Sequence, residues 1–523
     1  MKNESSYNSK FKFSFKENYE IEDKEAIDQK IFDPKEFREN AEIVVSKLET
    51  YLADSSIRGL SLTDPSVLLK AAEDLMVTDY DDIAILDKGK LKAIIDLYIK
   101  TGIHVHSPGY LGRQFSGVIP LSGIFDFISS IVNQPSSFYE EGRLPNVAER
   151  IMAKELNRFI GYECDRFAMV TTSGGSLANL TALLAARNDK YPTIWSEGIF
   201  GLDEQFCPAI AVSAAAHYSI SRAAGIMGIG EDQIVRLPVN KANQICIEKV
   251  RPALAEAAHR GLKVFCLVAS AGTNSMGAFD PIDELAAIAK DRNIWFHIDA
   301  VHGGSLLVSD ELRHKLKGIE KADSITWDAH KMMFVPAPCT LLFYKNKKKS
   351  YGAFHQEASS AFEKETDIYT EFDSSEQNIE LIKRPLIMNL WVLWALYGKA
   401  LFANKIEYLC QLTEQAYQIL NNELDFVTLH QPESNILCFR YSPEDLPHDT
   451  IPDFQVAIRN RIREEGKFFI SKVDINGEGA LRVVFMNHEI DESHFRLLLH
   501  EIRKVGQELL IEKNNKILLT NRM

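Results

Sequence analysis

Lys331 follows a strand-like run and is followed directly by a second apolar segment. It belongs to segment 324–336, SITWDAHKMMFVP, and the five residues after it include four apolar ones and no charge. A buried ammonium is unfavourable unless it is paired or chemically converted, and Schiff-base chemistry requires a desolvated lysine of this kind. Lys331 is therefore the candidate covalent anchor; an ordinary solvated lysine is the alternative.

Asp299 is the second candidate, in the run WFHIDAVHGG at 295–304. An aspartate at the end of an apolar strand faces the ligand crevice of a parallel sheet, where a carboxylate needs a cationic partner. A pyridinium nitrogen would be such a partner, because the carboxylate keeps it protonated and the ring can then accept electrons. A helix-capping aspartate is the alternative.

Two further motifs follow strand-like runs. Segment 171–180, TTSGGSLANL, predicts a strand, a glycine turn at Gly175 and a helix start, where backbone N–H groups and the Ser176 hydroxyl suit a phosphate. His217 can stack on a flat ring or act as an acid or base. The alternatives are a capped helix without a ligand and a structural histidine. Phosphate turn, stacking histidine, ring carboxylate and lysine, in this chain order, describe a pyridoxal 5′-phosphate site.

The elements that must position these residues alternate along the middle of the chain. Short apolar strands separated by helices predict an α/β fold with a mainly parallel sheet covered on both faces. Ligands bind at the carboxyl ends of such strands. The predicted strands are 167–172, 209–215, 234–239, 264–270, 294–299, 324–327 and 340–344, and the helices between them include 177–187, 248–259 and 282–290.

The flanking segments differ in composition from this middle part. Residues 1 to about 40 are polar and predict a mobile or partner-covering arm, 41–100 have helical apolar spacing, and 102–117 is a glycine-rich loop. After an acidic loop that ends near 377, a long helix (386–400) leads to a small α+β unit with strands at 436–441 and 481–485. We therefore predict domains at 1–100, 101–385 and 386–523.

Composition excludes several classes of protein. The 523 residues carry 59 Lys and Arg against 73 Asp and Glu, a formal charge of −14, which disfavours nucleic acid or an anionic membrane as a partner. Seven cysteines without a CxxC motif indicate reduced thiols and no metal site. No segment approaches the ~20 apolar residues of a membrane span. We expect a cytoplasmic protein.

With these motifs in place, the chain resembles the group II pyridoxal-phosphate-dependent amino-acid decarboxylases, which act on glutamate, cysteine sulfinate, diaminobutyrate and aromatic amino acids. The likeness rests on the His330-Lys331-Met-Met run, the His297-Ile-Asp299-Ala motif and the Ser-Gly-Gly-Ser-x-Ala-Asn turn. It covers about 100–400 well and the C-terminal part more loosely. It implies an aspartate-aminotransferase-like fold with a seven-stranded sheet, an N-terminal helical segment and a small C-terminal α+β domain.

The resemblance also implies a role for individual residues. His297 matches a family histidine two residues before the aspartate. The implied cofactor site consists of Gly175, Ser176 and His330 at the phosphate, His217 stacked on the ring, Thr273 near the ring, Asp299 at the ring nitrogen and Lys331 as the Schiff-base lysine.

Two positions depart from the family pattern. The family often has Asn-Pro-His-Lys where this chain has Asp328-Ala-His-Lys331, and an acidic Asp328 would repel a phosphate. The usual Cys-Gly-Arg before the long helix is replaced by Leu381-Ile-Lys383. Lys383 keeps the positive charge, but a lysine cannot form the bidentate hydrogen bonds by which arginine binds a carboxylate.

The implied reaction is loss of CO₂ from an α-amino acid to give the amine. A mobile loop supplies the final proton donor in this family, and Tyr369, in the acidic stretch after Lys349, is our candidate; an ordinary surface tyrosine is the alternative. The segment from Arg113 to Gly117 (RQFSG) resembles the Phe-Ser-Gly loop of the cysteine-sulfinate and glutamate enzymes. We therefore expect a short acidic substrate, contacted by Arg113 and Phe115.

Other functions stay open at this stage. Diaminobutyrate and aromatic amino acids are alternative substrates, and a transaminase, a lyase or an aldehyde-forming oxidative decarboxylase would use the same cofactor. A retired enzyme kept as a binding protein is a rival from another class. We also expect a homodimer, because the apolar helices of 41–100 would otherwise be poorly covered.

Overall fold

The computed structural model describes residues 30–77, 86–202, 207–354, 372–444, 446–475 and 477–520. The chain forms two compact units. The first comprises the described residues within Met1–Leu111, Ile458–Ile470 and His500–Met523, and the second those within Gly112–Ala457 and Ser471–Leu499. The predicted domain limits stay predictions. The predicted polar arm lies outside the described residues up to position 29.

The N-terminal helices of the first unit each begin directly after an aspartate. Each carboxylate accepts a hydrogen bond from a first-turn backbone N–H, at 2.7–2.9 Å, which satisfies a donor that the helix itself cannot pair. A proline opens two of these helices, where its missing N–H costs nothing. The helices are α1 (Pro34–Leu52), α2 (Pro65–Glu73) and α3 (Lys88–Lys100), capped by Asp33, Asp64 and Asp87. The predicted helical segment is confirmed, although α1 begins inside the predicted arm.

The backbone at Gly59 lies very close to the backbone of the glycine-rich segment. Strands β1 (Leu60–Ser61) and β2 (Gly102–Ile103) pair antiparallel beside it. A Cβ on Gly59 would lie 2.3 Å from the oxygen of Gly109 and 2.4 Å from the nitrogen of Phe469, so only glycine fits there.

The second unit contains a seven-stranded sheet. Its strands are β3 (Ala168–Thr172), β4 (Cys207–Ser213), β5 (Ile234–Leu237), β6 (Leu262–Ser270), β7 (Trp295–Asp299), β8 (Ser324–Asp328) and β9 (Thr340–Tyr344), in the order β3-β9-β8-β7-β6-β4-β5. Neighbouring strands are parallel except at β9, which is antiparallel to both β3 and β8. The connection from β8 to β9 is too short for a helical crossover, and this explains the reversal. The mainly parallel sheet is confirmed.

Helices cover both faces of this sheet, as the period-two alternation along β6 shows. Cys266 and Val268 pack with residues of the helix after β3, whereas Leu267 and Ala269 pack in the cluster on the opposite face. The second unit contributes α4 (Pro120–Val132), α5 (Arg143–Ile160), α6 (Gly175–Lys190), α7 (Ile194–Glu197), α8 (Ser219–Ile226), α9 (Ile247–His259), α10 (Ile282–Asp291) and α11 (Lys347–Ser350).

The C-terminal part starts with a helix longer than predicted. Helix α12 (Ile387–Asn421) contains Gly398 at φ 67°, a left-handed break close to the predicted end at 400. A four-stranded antiparallel sheet follows, in the order β10-β11-β13-β12. The remaining elements are β10 (Phe426–Thr428), β11 (Ile436–Tyr441), α13 (Ile451–Glu465), β12 (Ser471–Ile475), β13 (Glu478–Val484) and α14 (Glu492–Thr520). The small C-terminal sheet is thereby confirmed.

The strand register brings several carboxyl ends together. Ser270 on β6 is paired with Asp299 on β7, and Asp299 is paired with Thr326 on β8. The residues that follow these three strands therefore meet at one edge of the sheet.

The structure also describes the state of the cysteines and the character of the helices. All seven cysteines lie within the described ranges, and none is in a disulfide. Among the helices of the described ranges, none combines the length and the apolar character needed to cross a membrane.

Candidate active site

A cavity of about 400 Å³ lies at the carboxyl edge of the large sheet in the second unit. It brings together nine of the ten predicted site residues; Tyr369 lies outside the described residues. A groove of about 540 Å³ elsewhere in this unit, lined by residues such as Leu262 and Ile294 that begin or precede strands, contains none of them. The predicted residues that line the cavity are Arg113, Phe115, Gly175, Ser176, His217, Thr273, Asp299, His330 and Lys331.

Lys331 lies in the turn after β8, beside an acidic neighbour. Its Nζ is 3.6 Å from Oδ2 of Asp328, and the Nε2 of His330 is 3.5 Å from the same oxygen. All three side chains are mostly buried, with Lys331 13% exposed. The apolar residues after the lysine are also buried, so the turn holds the amine at the cavity wall with little solvent around it.

Asp299 ends β7 and is 6% exposed. Its Oδ2 accepts a hydrogen bond from Nδ2 of Asn179 at 3.0 Å, and its Oδ1 accepts from the backbone N–H of Val301 at 3.3 Å. Both contacts donate hydrogen bonds to the carboxylate. A buried carboxylate held in this way can stabilise a positive charge on a ligand in the cavity.

Asn179 on α6 is the centre of a buried hydrogen-bond network. Because its Nδ2 faces the Asp299 carboxylate, its Oδ1 must accept, and it does so from Thr326 Oγ1 at 2.9 Å and from Nε2 of His297 at 3.1 Å. His297 therefore carries its proton on Nε2, and its Nδ1 accepts from the Ser324 hydroxyl at 2.8 Å. Burial lowers the pKa of His297 to about 4, so its imidazole is uncharged near neutral pH and has a structural role in the network.

The same network reaches His217, which lies in the turn between β4 and α8. Asn179 Nδ2 also donates to Ser219 Oγ at 3.0 Å, and that oxygen is 2.9 Å from Nδ1 of His217. The backbone N–H of Ser219 points at the same Nδ1, so this nitrogen accepts and the proton of the neutral ring is on Nε2. Burial lowers the pKa of His217 despite the opposing attraction of Asp299.

The glycine turn after β3 opens α6 against the cavity. In its first turn, the amides of Leu177 and Ala178 both bond the oxygen of Gly174, which leaves the amides of Gly175 and Ser176 for another acceptor. A Cβ on Gly175 would lie 2.8 Å from Cγ1 of Val301. The turn is therefore narrow, glycine-dependent and suited to an anion.

Thr273 lies in the loop after β6, which is internally braced. Its N–H donates to the oxygen of Ala278 at 2.9 Å, and its Oγ1 accepts from the N–H of Ala278 at 3.1 Å. Asp280 closes the loop by accepting from the N–H groups of Ser270 and Ile245. Burial raises the pKa of Asp280 to about 7. The loop thus presents Thr273 on a rigid support.

Arg482 and His302 also line the cavity, and sequence reasoning did not single them out as site residues. Arg482 on β13 is 5% exposed, and its Nε donates to the oxygen of Ser275 at 3.0 Å. An arginine inside the apolar run LRVVFM at 481–486 was the available signal. His302 follows β7; its Nε2 lies 2.7 Å from Asn435 Oδ1, and burial strongly lowers its pKa. No sequence signal distinguished His302 from a core residue.

The two predicted substrate residues lie on the loop before α4. Arg113 is exposed at the cavity wall, and Phe115 is 46% exposed with its ring centroid 6.5 Å from that of His330. Lys383, in contrast, is away from the cavity lining. Its Nζ is 3.2 Å from Glu149 and also donates to the Thr171 oxygen at 3.1 Å, so the cation is used in a buried ion pair.

Comparison with known proteins assigns the family. Residues 126–442 match the model of the pyridoxal-dependent decarboxylase conserved domain. This match covers more than half of the chain, so the chain belongs to that family. It is a pyridoxal-phosphate-dependent amino-acid decarboxylase, and the resemblance noted in its motifs is confirmed.

Individual relatives are more distant. The chain is 27% identical to the acidic amino acid decarboxylase GADL1 of Bos taurus over 79% of this chain and 80% of that protein. The crystal structure of mouse CSAD matches with a TM-score of 0.83 at 22% identity, over 91% of this chain and 100% of that chain. Oryza sativa TDC with PLP and tryptamine matches with a TM-score of 0.83 at 19% identity, over 91% and 99%. These two structures establish the fold.

The residues present fit pyridoxal phosphate, with one exception. A glycine turn suited to an anion, a buried carboxylate that accepts hydrogen bonds from Asn179 and Val301, and a mostly buried lysine line a single cavity. They match the phosphate, the ring nitrogen and the aldehyde of the cofactor in chemical type. The exception is Asp328, whose carboxylate lies beside the turn that suits the phosphate.

Proposed function

We propose that this enzyme decarboxylates a short acidic amino acid, such as glutamate, aspartate or cysteine sulfinate, to the corresponding amine and CO₂. The observation that carries the proposal is the presence of Arg113 and Arg482 in the same cavity as Lys331. An acidic amino acid has two anionic ends, and a guanidinium suits each of them. The printed name of the Bos taurus relative, an acidic amino acid decarboxylase, points the same way.

The two arginines suit different ends of the substrate. Arg482 is buried and held by Ser275, which suits the α-carboxylate that every amino-acid substrate has. Arg113 is exposed on a loop, beside Phe115, which suits the variable side chain. We therefore assign the α-carboxylate to Arg482 and substrate choice to Arg113.

The cofactor contacts are proposed as the sequence predicted them. Gly175, Ser176 and His330 would hold the phosphate, and Thr273 would lie near the ring. When bound, pyridoxal phosphate supplies the electron sink for the pair released with CO₂. Asp299, oriented by its two donors, would hold a proton on the ring nitrogen. His217 would pack on the ring as a neutral imidazole that presents its Nε2–H.

The remaining steps are assigned to Lys331 and a loop residue. The Lys331 amine would anchor the cofactor through its aldehyde carbon and would re-form that link when the product amine leaves. Arg482 would hold the α-carboxylate in one orientation, so that the bond to be broken is positioned before reaction. Tyr369 stays our predicted donor of the proton that replaces CO₂ on the α-carbon.

The proposal is tested by offering the cofactor-loaded enzyme a panel of amino acids and following CO₂ release. The panel consists of aspartate, glutamate, cysteine sulfinate, diaminobutyrate, lysine, tyrosine and DOPA. One of the three acidic compounds should give the highest kcat/KM. Arg113→Met should remove most of that preference, because the side-chain carboxylate of the substrate then loses its cationic partner. A cationic or aromatic best substrate, or unchanged selectivity of Arg113→Met, would overturn the substrate assignment.

Product analysis separates the proposed reaction from its rivals. The amine and CO₂ in equal amounts would support simple decarboxylation. An aldehyde with ammonia would indicate the oxidative reaction, and a keto acid would indicate transamination. Diaminobutyrate and aromatic amino acids remain the alternative substrates.

We further propose that the enzyme is a homodimer in the cytoplasm. Helix α1 has no buried residue in the described structure and exposes Phe37, Val45 and Leu48, which a second copy would cover. Seven free thiols, several of them buried, suit a reducing compartment. Cell fractionation with an antibody to the chain would test the location.

A further inference from the structure

The carboxylate of Asp328 stands beside the anion-binding turn of the cavity. A Cβ built on Gly175 would be 3.4 Å from its Oδ1 and 3.5 Å from its Oδ2. Asp328 is 3% exposed and ends β8, and its N–H is bonded to the oxygen of Val301 at 3.3 Å, so backbone and side chain are both fixed. The side chain therefore cannot turn away into solvent.

The side-chain contacts of Asp328 are with hydrogen-bond donors and a cation. Thr340 Oγ1 donates a hydrogen bond to its Oδ1, while Lys331 Nζ and His330 Nε2 lie 3.6 and 3.5 Å from its Oδ2. It thus neutralises the lysine that must react with the cofactor and faces the histidine expected at the phosphate. In the structure, the anion that occupies this cationic end of the cavity is a side chain.

The other charged and titratable groups of the cavity can be assigned by element. Among the described residues, the loop before α4 contributes Arg113, β13 contributes Arg482, and the residues after β8 contribute Lys331 and His330. The carboxylates are Asp299 and Asp328, and the remaining titratable groups are His217, Tyr218 and His302. Burial lowers the pKa values of His217 and His302. A bound phosphate monoester adds about two negative charges near neutral pH. Those charges would lie beside Asp328, where burial limits screening by salt.

We propose that Asp328 limits cofactor loading: it holds Lys331 and His330 in the cofactor-free chain and opposes the phosphate when the cofactor enters. The chain therefore binds the phosphate less tightly than its glycine turn and cations allow. Asp328 is a positioning residue for Lys331 and a determinant of cofactor affinity. This inference rests on the proposed assignment of Gly175 and Ser176 to the phosphate.

The test isolates the phosphate from the rest of the cofactor. Dissociation constants of pyridoxamine 5′-phosphate and of pyridoxamine, neither of which can condense with a lysine, are measured by calorimetry without any substrate. The ratio of the two constants reports what the phosphate adds to affinity. In Asp328→Asn, which keeps the shape and an acceptor for Thr340, this ratio should increase by about ten-fold or more in favour of the phosphorylated compound.

A second carboxylate of the same cavity is the matched control. Asp299→Asn should weaken both compounds together, because Asp299 is assigned to the ring nitrogen, and should change the ratio by less than about three-fold. Asp328→Ser, which removes the charge with a smaller side chain, serves as the second variant. Circular dichroism and thermal unfolding check that each variant is folded.

The outcomes separate the inference from the proposed function. An unchanged or reduced phosphate contribution in both folded Asp328 variants would overturn the inference, as would an equal gain for both compounds. If Ser176→Ala lowers the ratio while Asp328→Asn leaves it unchanged, the phosphate site stands and only the role of Asp328 fails. If neither variant changes the ratio, the phosphate assignment fails and the inference fails with it. CO₂ release from any amino acid is a separate measurement.

Discussion

Asn179 shows how one uncharged side chain can organise the charged residues around it. It donates to Asp299 and Ser219 and accepts from Thr326 and His297, so both ends of its amide are used. The bond to Asn179 Oδ1 places the proton of His297 on Nε2, whereas the N–H of Ser219 sets the proton position of His217. The sequence contained Asn179 inside the phosphate-turn motif, but its role depends on four elements that only the folded chain brings together.

Replacement of Asn179 by leucine should therefore affect both stability and catalysis. Leucine is similar in size but leaves the buried donors and acceptors of the network without partners, at about 1–3 kcal/mol for each group that stays unsatisfied. The free energy of unfolding, measured in urea, and kcat/KM should both decrease. Asn188→Leu, on the same helix but outside the cavity lining, removes hydrogen bonds with Arg187, Gly352 and Ala353 and should leave kcat/KM unchanged. Equal effects of the two variants would contradict a positioning role.

Lys331 provides the second prediction at this scale. Lys331→Ala should abolish turnover, because Lys331 supplies the only lysine amine among the described residues that line the cavity, while some cofactor remains bound through the phosphate. Absorption spectra with added cofactor and CO₂ release would show this directly. Lys345→Ala, at an exposed lysine just after β9, is the control and should behave as the unmodified enzyme. Near-normal activity of Lys331→Ala would refute its assignment.

At the scale of elements, apolar periodicity predicted much of the sheet. All seven strands were predicted, because a strand buried on both faces is a continuous apolar run between turn residues. The antiparallel direction of β9 was not predicted, since direction depends on the connection and not on the strand itself. Helix α12 was predicted too short, because Gly398 interrupts the helical pattern while the chain resumes a helix beyond it.

Sequence motifs identified nine of the residues that line the cavity, because each of them follows a strand or a turn with its own motif. Arg482 could not be identified in this way, since it comes from the small sheet, far away in sequence from the other residues. Lys383 was recognised as a departure from the family, but its partner Glu149 lies 234 positions earlier and has no local signal. Long-range pairing of this kind is a property of the folded chain.

The Lys383–Glu149 ion pair joins α5, β3 and the segment before α12, so breaking it should lower the stability of the fold. Both side chains are buried; burial lowers the pKa of Lys383, and Glu149 opposes that shift. Lys383→Met should therefore destabilise the fold by about 3–5 kcal/mol, because Glu149 keeps a buried charge without its partner. Adding Glu149→Gln should restore much of the loss in a double-mutant cycle.

An exposed ion pair is the control for this cycle. Lys399 lies 2.7 Å from Asp310 and both are solvent-accessible, so Lys399→Met should destabilise the fold much less than Lys383→Met. A loss for Lys383→Met as small as that for Lys399→Met would show that the buried pair does not hold these elements together.

At the scale of the whole molecule, buried histidines make stability depend on pH. Burial lowers the pKa of His297 and of His430 to about 4, and it also lowers that of His302. An unfolded histidine titrates near ~6.5, so below that pH the unfolded chain binds more protons than the folded one. The histidine contribution is therefore complete above pH ~6.5 and is lost as the pH falls towards 4.

Urea unfolding at pH 7, 6 and 5 should thus give a decreasing free energy of unfolding. Asp280 acts in the opposite direction, because its pKa is raised to about 7 and the folded chain then holds a proton that the unfolded chain releases. Burial also raises the pKa values of Asp323 and Glu465, and it also lowers those of His104, His217 and His488. Among the described residues, six histidines against three carboxyl groups leave a net loss on acidification. His297→Gln should reduce the pH slope, and His259→Gln, at an exposed histidine, should not. Stability that is constant or increasing from pH 7 to pH 5 would contradict this balance.

The proposed homodimer gives the last prediction, because the second unit also has an uncovered apolar surface. Helix α4 exposes Ile124, Phe127, Ile128 and Ile131, a contiguous face larger than the isolated apolar residues of an ordinary surface. Light scattering should give about twice the chain mass of 59.1 kDa. Phe127→Glu should weaken association and lower activity with it, whereas Leu424→Glu, at the 97% exposed leucine before β10, should change neither. A fully active monomer, or a Phe127→Glu variant that associates normally, would show that α4 does not form the interface.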